Sequence, residues 1–477
     1  MNKRDFLKVS GAVLGGLAVG RPLGAAAEES AQSAALTNWA GNLRYGTTNL
    51  HECRSVEQVQ AFVKANDSFR VLGTRHCFNR IADSDKALVS VRPMDRIIEI
   101  DPGEPSRTIE GRVGAEPSRS VVLGERAATV TVEGGTSYGQ LCPTLHERGF
   151  ALHNLASLPH ISIAGACATA SHGSGVERGS LATAVTALEL VTADGEIRKL
   201  SAEHDGETFK GAVVGLGALG VVTRLTLKVE PTFQMWQDVY EHMPMAELAD
   251  NFDEVVSSAY SVSLFTDWRN KNINEVWIKH RLDDPSGQAT KAAPEFFGAK
   301  LATRNLHPIA ALSAENCTAQ MGELGPWFDR MPHFKMGFTP SSGDELQAEY
   351  FVPHKHAVEA ILAIERLHER VSPHLWISEI RTVAEDDHWM SPAQGRPSVT
   401  IHFTWKPEWD AVSRLLPIIE RELSPFEPRP HWGKLFTLDP KTLQSRYEML
   451  PRFKDLVHEF DPNAKFRNEF LAHNLYG

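Results

Sequence analysis

Short runs of β-branched and apolar residues, each closed by Gly, Pro or Asp, set the rhythm of the chain from Phe69 to Glu230. Ala87–Val91, Ile97–Ile100 and Thr129–Val132 have the length and composition of strands. Tyr138–Arg148 carries helical spacing, Thr183–Thr192 reads as a strand turning at Asp194-Gly195 into Ile197–Leu200, and the glycines of Gly215–Gly220 lead into a long strand ending at Val229. After Pro231 the pattern shifts. Met245–Ser257 predicts a helix, Ser261–Trp268 and Asn274–His280 strands, and Lys355–Val371 an amphipathic helix with Val358, Ile361, Leu362 and Leu367 on one side. Asp284–Gly325 takes no assignment, and from about Leu435 helical and turn character returns. Helices and strands mixed in this way predict an α+β protein. Pro102–Ala128 is polar and longer than the ~12–15 residues of a usual structureless connection, so it reads as a surface insertion without regular structure.

Three strands of the second block alternate in a way that bears on chemistry. Leu346–Phe351 puts Gln347 and Glu349 on one side, Trp376–Val383 groups Glu379 with Arg381, and Val399–Lys406 groups His402 with Thr404, opposite Ile401 and Phe403. Taken singly, each strand predicts an ordinary sheet with one wet face. The residue choice points elsewhere, because Gln, Glu, Arg, His and Thr together donate and accept hydrogen bonds to several hydroxyls. Pro430-His431-Trp432-Gly433-Lys434 adds a lysine on a turn beside an aromatic, a charge suited to stabilising an alkoxide or a reduced cofactor anion.

Two further segments suit a phosphorylated, flat ligand. Val71-Leu-Gly-Thr-Arg-His76-Cys-Phe-Asn79 sets His76 on a glycine turn, where close backbone approach and free amides attract a pyrophosphate. Asn154–Gly175 packs small and hydroxyl residues, including Ala-Ser157-Leu-Pro-His160-Ile-Ser162, into a run with almost no bulky side chain. Together they resemble the flavin-binding domain of the vanillyl-alcohol oxidase superfamily, in its alditol oxidase branch. The resemblance runs from about Asn38 to the C-terminus, where Lys465–Leu471 is similar to the ending of aldonolactone and alditol oxidases; Cys77 departs from the usual serine.

The resemblance implies a two-subdomain PCMH-type FAD-binding domain at 30–230, an α+β substrate cap at 231–434, and a segment at 435–477 that returns to the FAD domain. It implies FAD held by Val71, Leu72, Gly73, Thr74, Arg75, His76, Cys77, Ser157, Ser162, Gly165, Thr169, Ala170, Ser171 and His172, with Gly220 and Val221 at the adenine half. His76 is the implied covalent anchor to the 8α carbon, and no cysteine occurs in Ala156–Pro159 to make a second bond. Ser157, Gln347, Glu379, Arg381, Thr404 and Lys434 are implied to bind substrate, with His402, Lys434, Glu379 and Arg381 catalytic. The implied reaction oxidises a terminal alcohol of an alditol such as xylitol or sorbitol to the aldose, by hydride transfer to flavin N5 and reduction of O2 to H2O2. The alternative is an aldonolactone oxidase, or a dehydrogenase with a periplasmic acceptor; Gly-Thr-Arg-His rather than Gly-Gly-His favours alditols. Intact His76, Glu379 and Lys434 argue against a sugar-binding protein on a retired flavin fold.

Composition narrows the partners. The net charge of −11 over 477 residues argues against nucleic acid and leaves a neutral polyol or lactone unrepelled. Residues 1–29 read as an export signal, with Lys3, Arg4 and Lys8 before the apolar Val9–Gly20 and Ala25-Ala-Ala27 as cleavage site. Lys3-Arg4-Asp5-Phe6-Leu7-Lys8 is twin-arginine-like and points to a periplasmic enzyme exported already folded. The apolar part falls short of the ~20 residues that span a bilayer. Five cysteines without ligand spacing indicate neither a disulfide framework nor a metal site.

Overall fold

Residues 35–103, 109–113, 116–120, 127–283, 292–338 and 344–477 are described in this computed structural model, 109–113 and 116–120 by backbone alone. The export signal read at 1–29 lies outside them, as does 284–291 of the unassigned stretch.

The first block forms two small sheets. Leu50–Glu52, Leu88–Ser90 and Arg70–Val71 make a parallel sheet with Leu88–Ser90 central. Ile197–Ser201, Val185–Val191, Val221–Lys228, Thr129–Glu133 and Ile97–Asp101 follow one another across an antiparallel sheet. Along Val221–Lys228 the buried positions are Val221, Thr223, Leu225 and Leu227, the period of two that a half-covered strand requires. The helix Tyr138–Glu147 starts at a capping box between Ser137 and Gln140 and buries Tyr138, Leu141, Cys142 and Leu145.

Pro102–Ala128 departs from expectation. Ile109–Val113 and Glu116–Ser120 pair with each other as an antiparallel hairpin. A hairpin whose arms pair only with each other has no need of an apolar stripe, so periodicity did not signal it.

The second block builds one antiparallel sheet of ten strands. From one edge run Glu295–Phe296, Ala299–Leu301, Gln234–Pro244, Asn272–Arg281, Ser261–Thr266, Leu375–Val383, Ser398–Trp405, Leu346–Pro353 and Arg429–Pro430, with Gly325–Pro326 also paired to Gln234–Pro244. The helices Ala357–Glu365 and Trp409–Leu423 share a core with Tyr350, Ile380, Ile401 and Phe403, and so cover one face of this sheet. Two helix expectations need correction. Met245–Ser257 is two short helices, Met245–Asp250 and Phe252–Val256, broken where the Asn251 amide donates to the Glu247 carbonyl at 2.9 Å. Lys355–Val371 is helical over Ala357–Glu365 and again over His368–Val371, and the deeply buried residues are Ala357, Ala360, Ile361, Ala363, Ile364 and Val371. Of the predicted stripe, Ile361 is in that core, and Val358, Leu362 and Leu367 pack against it half-buried.

The C-terminal segment closes the first block. The Phe69 amide donates to the Lys465 carbonyl at 3.0 Å. Arg70, fully buried, spends its guanidinium on carbonyls from three places: Ile81 (2.7 Å), Leu216 and Gly217 (2.8 Å each), and Phe466 (2.5 Å). Arg70→Leu orphans these carbonyls and is expected to lower stability by at least about 3 kcal/mol, read as a lower urea midpoint.

Candidate active site

A cavity of about 270 Å³ is lined both by the first block and by the polar face of the large sheet, the face away from its helices. Arg75 takes a left-handed conformation (φ 62°), reversing the chain so that His76 joins the cavity wall. Gly73 and Gly165 flank Ser162: a Cβ would lie 3.1 Å from Ser162 Oγ at position 73 and 2.9 Å from it at 165. Gly220, at φ +154°, would bring a Cβ to 2.6 Å from the Val191 carbonyl oxygen. Bare backbone on two sides and an apolar wall that includes Leu72, Leu188, Leu190 and Val213 fit a flat cofactor with a pyrophosphate.

His76 has its Nδ1 3.3 Å from His160 Nε2, and its ring lies 4.4 Å from that of Trp39. Desolvation, then His160 and Lys434, push its pKa down to about 3, so the imidazole is neutral at ordinary pH. The end of the same motif has a second task. Asn79 Nδ2 donates to the carbonyls of Trp432 (2.8 Å) and Lys434 (2.7 Å), and the Phe78 amide donates to the Gly433 carbonyl at 2.8 Å. A Cβ at Gly433 would lie 3.3 Å from Cys77 Sγ, so the histidine turn and the lysine turn are seated against each other. Burial pushes the Cys77 thiol up to about 11, which keeps it protonated.

The three polar strands are neighbours, and their register aligns Glu349, His402 and Glu379 across the sheet. Their shared face is buried rather than wet. Glu349, out of reach of water, accepts from Arg381 Nη2 at 3.0 Å and Lys434 Nζ at 2.6 Å, with His172 Nε2 at 3.2 Å. Glu379 Oε1 lies 2.6 Å from His333 Nε2 and 3.4 Å from Arg381 Nε, and its Oε2 lies 3.9 Å from His402 Nδ1. Burial works to raise both carboxyls, but the surrounding positive and hydrogen-bonding groups outweigh it and hold both well below the usual carboxylate range. Burial, then Lys434, takes His402 down to about 4. Its Nε2 is buried without a protein partner, and the residue lines the cavity. Two carboxylates thus face one guanidinium and one ammonium, a balanced floor that suits an uncharged, hydroxyl-rich ligand. His172, Glu349 and His431 bring ligand-type atoms within 4.8 Å of one another, but a cation there would have to displace Arg381 and Lys434 from Glu349.

Of the residues nominated from sequence, Val71 to Cys77, Ser157, Ser162, Gly165, Thr169, Ser171, His172, Gly220, Gln347, Glu379, Arg381, His402 and Lys434 line the cavity. Three do not. Ala170 and Val221 turn into the hydrophobic cores beneath the wall, and Thr404, level with Gln347 in the register, is buried one pleat beyond His402. Glu349, His160, His333 and His431 were not nominated. Glu349 was visible as the alternation partner of Gln347, and His160 and His431 stood inside noted motifs. His333 comes from a loop without periodicity, and no sequence signal marked it.

Comparison with known proteins accords with this geometry. The family described as "FAD binding domain" matches residues 49–201, and the family described as "D-arabinono-1,4-lactone oxidase" matches 339–474. Alditol oxidase of a Streptomyces species is 43% identical over 447 residues, covering 93% of this chain and all of that one. L-gulono-1,4-lactone dehydrogenase of Mycobacterium tuberculosis is 27% identical over 436 residues, 89% of this chain and 94% of that one. Among solved structures, cholesterol oxidase from B. sterolicum superposes with a TM-score of 0.72 at 15% identity, over 92% of this chain and 96% of that one, a likeness of fold.

Glu349→Leu leaves Lys434 buried without its counter-charge and Arg381 with Glu379 alone, and is expected to cost about 3–5 kcal/mol in urea unfolding. Because the folded Glu349 sits below its unfolded value, its contribution is complete above the ordinary carboxylate pKa of about 4.3 and is lost as pH falls through the lower folded value. The difference between wild type and variant is therefore expected to narrow in acid.

Proposed function

The chain belongs to the alditol oxidase family of FAD-dependent oxidoreductases, and from that premise we propose that it oxidises the terminal alcohol of an alditol such as xylitol or sorbitol to the aldose, with O2 as electron acceptor and H2O2 as second product. The observation that carries this reading is the charge-balanced floor that lines the cavity, in which His402 keeps a buried Nε2 without a protein partner.

Lining residues within 71–77 and 157–172 and at the Gly220 turn would hold FAD, which would supply the acceptor for the electron pair of the carbinol carbon. The chain's own groups handle the proton and the hydroxyls. His402, neutral because of its depressed pKa, accepts the hydroxyl proton at Nε2, a role worth ~10²–10⁴ in rate. Glu379, facing His402 Nδ1, stabilises the imidazolium that results. Lys434 keeps positive charge beside the developing alkoxide while Glu349 holds it in place. Arg381, Gln347 and Ser157 offer the hydrogen bonds that fix the neighbouring hydroxyls.

The covalent link to FAD is assigned to His76. A neutral imidazole in the cavity wall, seated by Trp39 and His160, is the type of nucleophile such a bond needs. The division into an FAD domain at 30–230, a cap at 231–434 and a returning segment at 435–477 is adopted with this reading, as is export to the periplasm through the twin-arginine-like start. A lactone oxidase is the second reading, favoured by the family match over 339–474, which includes the polar floor.

Peroxide assayed with xylitol, sorbitol and gulonolactone side by side decides between the two: turnover of the alditols is expected, and turnover of the lactone alone overturns the proposal. The wild-type protein is expected to stay yellow through acid precipitation, and His76→Ala to release its colour. His402 must be unprotonated to act, so activity is lost as pH falls through its pKa of about 4. Lys434→Met removes a charge that depresses that pKa, and the acid limb of kcat/KM is expected to move up toward the unperturbed histidine value of about 6.5.

A further inference from the structure

We propose that His333 is a positioning residue for this reaction, fixing Glu379 from the side away from His402 so that one carboxylate oxygen is kept for the catalytic base. This rests on the reading of His402 as base.

The two oxygens of Glu379 are used differently. His333 Nε2 (2.6 Å) and Arg381 Nε (3.4 Å) both approach Oε1, and Oε2 is the oxygen facing His402 Nδ1 at 3.9 Å. When His402 takes a proton at Nε2, the Nδ1–H must find a carboxylate oxygen, and occupation of Oε1 by others leaves Oε2 turned toward it. A free carboxyl would swing about its last torsion and present either oxygen.

His333 is itself held on every side. Lys279, buried in the large sheet, donates Nζ to the carbonyls of Arg330 (2.7 Å) and Pro332 (2.8 Å), pinning the loop just before the histidine. Thr318 donates its hydroxyl to Pro332 O at 2.8 Å and its amide to His333 O at 2.9 Å. Edge-on contacts with Trp277 (5.2 Å) and Phe265 (5.4 Å) leave the imidazole one orientation.

The choice of histidine fits the task. Its Nδ1 is buried without a partner, so the ring donates from Nε2 as the neutral tautomer, and burial keeps it from protonating. The charged groups that face it are Glu379, Lys279 and Arg381. A neutral donor keeps Glu379 ionised without adding a cation that would compete with His402 for the same carboxylate.

The test uses FAD-loaded wild type, His333→Gln and His333→Asn. Glutamine carries an amide to about the place of Nε2, and asparagine is too short to reach Glu379. Anaerobic flavin reduction by xylitol is followed from acid to alkaline pH, together with the xylitol dissociation constant. His333→Asn is expected to slow the limiting reduction about tenfold with xylitol binding changed less than about threefold, and to move the acid limb up by about one pH unit, because Glu379 then protonates more easily. His333→Gln is expected to stay near wild type in both. An unmoved limb in His333→Asn, or an equal loss in both variants, overturns the positioning role while leaving the alditol reading intact. A wild-type flavin that no alditol reduces overturns the alditol reading, and this proposal with it. Should His333→Asn fail to load FAD, Thr318→Val, which loosens the loop by removing the hydroxyl bonded to the Pro332 and His333 carbonyls, is expected to show a smaller shift of the same sign, and an unmoved limb there overturns the proposal.

Discussion

Water does not reach Glu349, and a buried carboxylate without partners costs more than most folds can bear. The chain answers with groups from three distant segments: Arg381 from the neighbouring region of the large sheet, Lys434 from the turn after Arg429–Pro430, and His172 from the small-residue run of the first block. Each of these needs the carboxylate as much as the carboxylate needs it. The three segments are therefore placed by one local electrostatic requirement, and the cavity takes its shape from where they meet.

Chemical selectivity follows from the same requirement. Because Glu349 and Glu379 are matched by Arg381 and Lys434, the floor carries no spare charge to attract a phosphate or to repel a neutral polyol. What it does offer is a dense set of oriented donors and acceptors in a place with little competing water, where each hydrogen bond to a hydroxyl counts for more than it would at the surface. The balance also divides the labour between two rows of the sheet. In the proposed reaction the row aligned with Glu349 and His402 serves the proton, and the guanidinium one step along the strand ties both carboxylates together, reaching Glu349 with Nη2 and Glu379 with Nε.

Much of this could be read from the residues before any coordinates. Alternation alone placed Gln347 with Glu349, Glu379 with Arg381, and His402 with Thr404, since period two leaves no freedom about which side chains share a face. Whether that face is wet or buried depends on what packs over it, which a single strand does not encode; here the first block covers it. Thr404 shows the limit of the same rule, for sharing a face with His402 does not mean reaching the cavity one pleat away. Ala170 and Val221 were nominated along with glycine-rich neighbours whose backbones do line the cleft, while their own side chains turn into core. Loop residues such as His333 carry no period at all, and their place is set by long-range anchors like Lys279, fifty-odd positions away in sequence and adjacent in space.

The motif around His76 serves two tasks at once. Its histidine faces the cavity, but its last two positions, Phe78 and Asn79, spend their hydrogen bonds on the backbone of Trp432, Gly433 and Lys434. The cofactor turn and the lysine turn consequently form one rigid unit, although more than three hundred residues separate them. Arg70, just upstream, extends that unit to Leu216, Gly217 and the C-terminal Phe466. A displacement of any of these turns is felt at Lys434, and through it at Glu349, so the two sides of the cavity, assigned to cofactor and to substrate in the proposed function, are mechanically coupled.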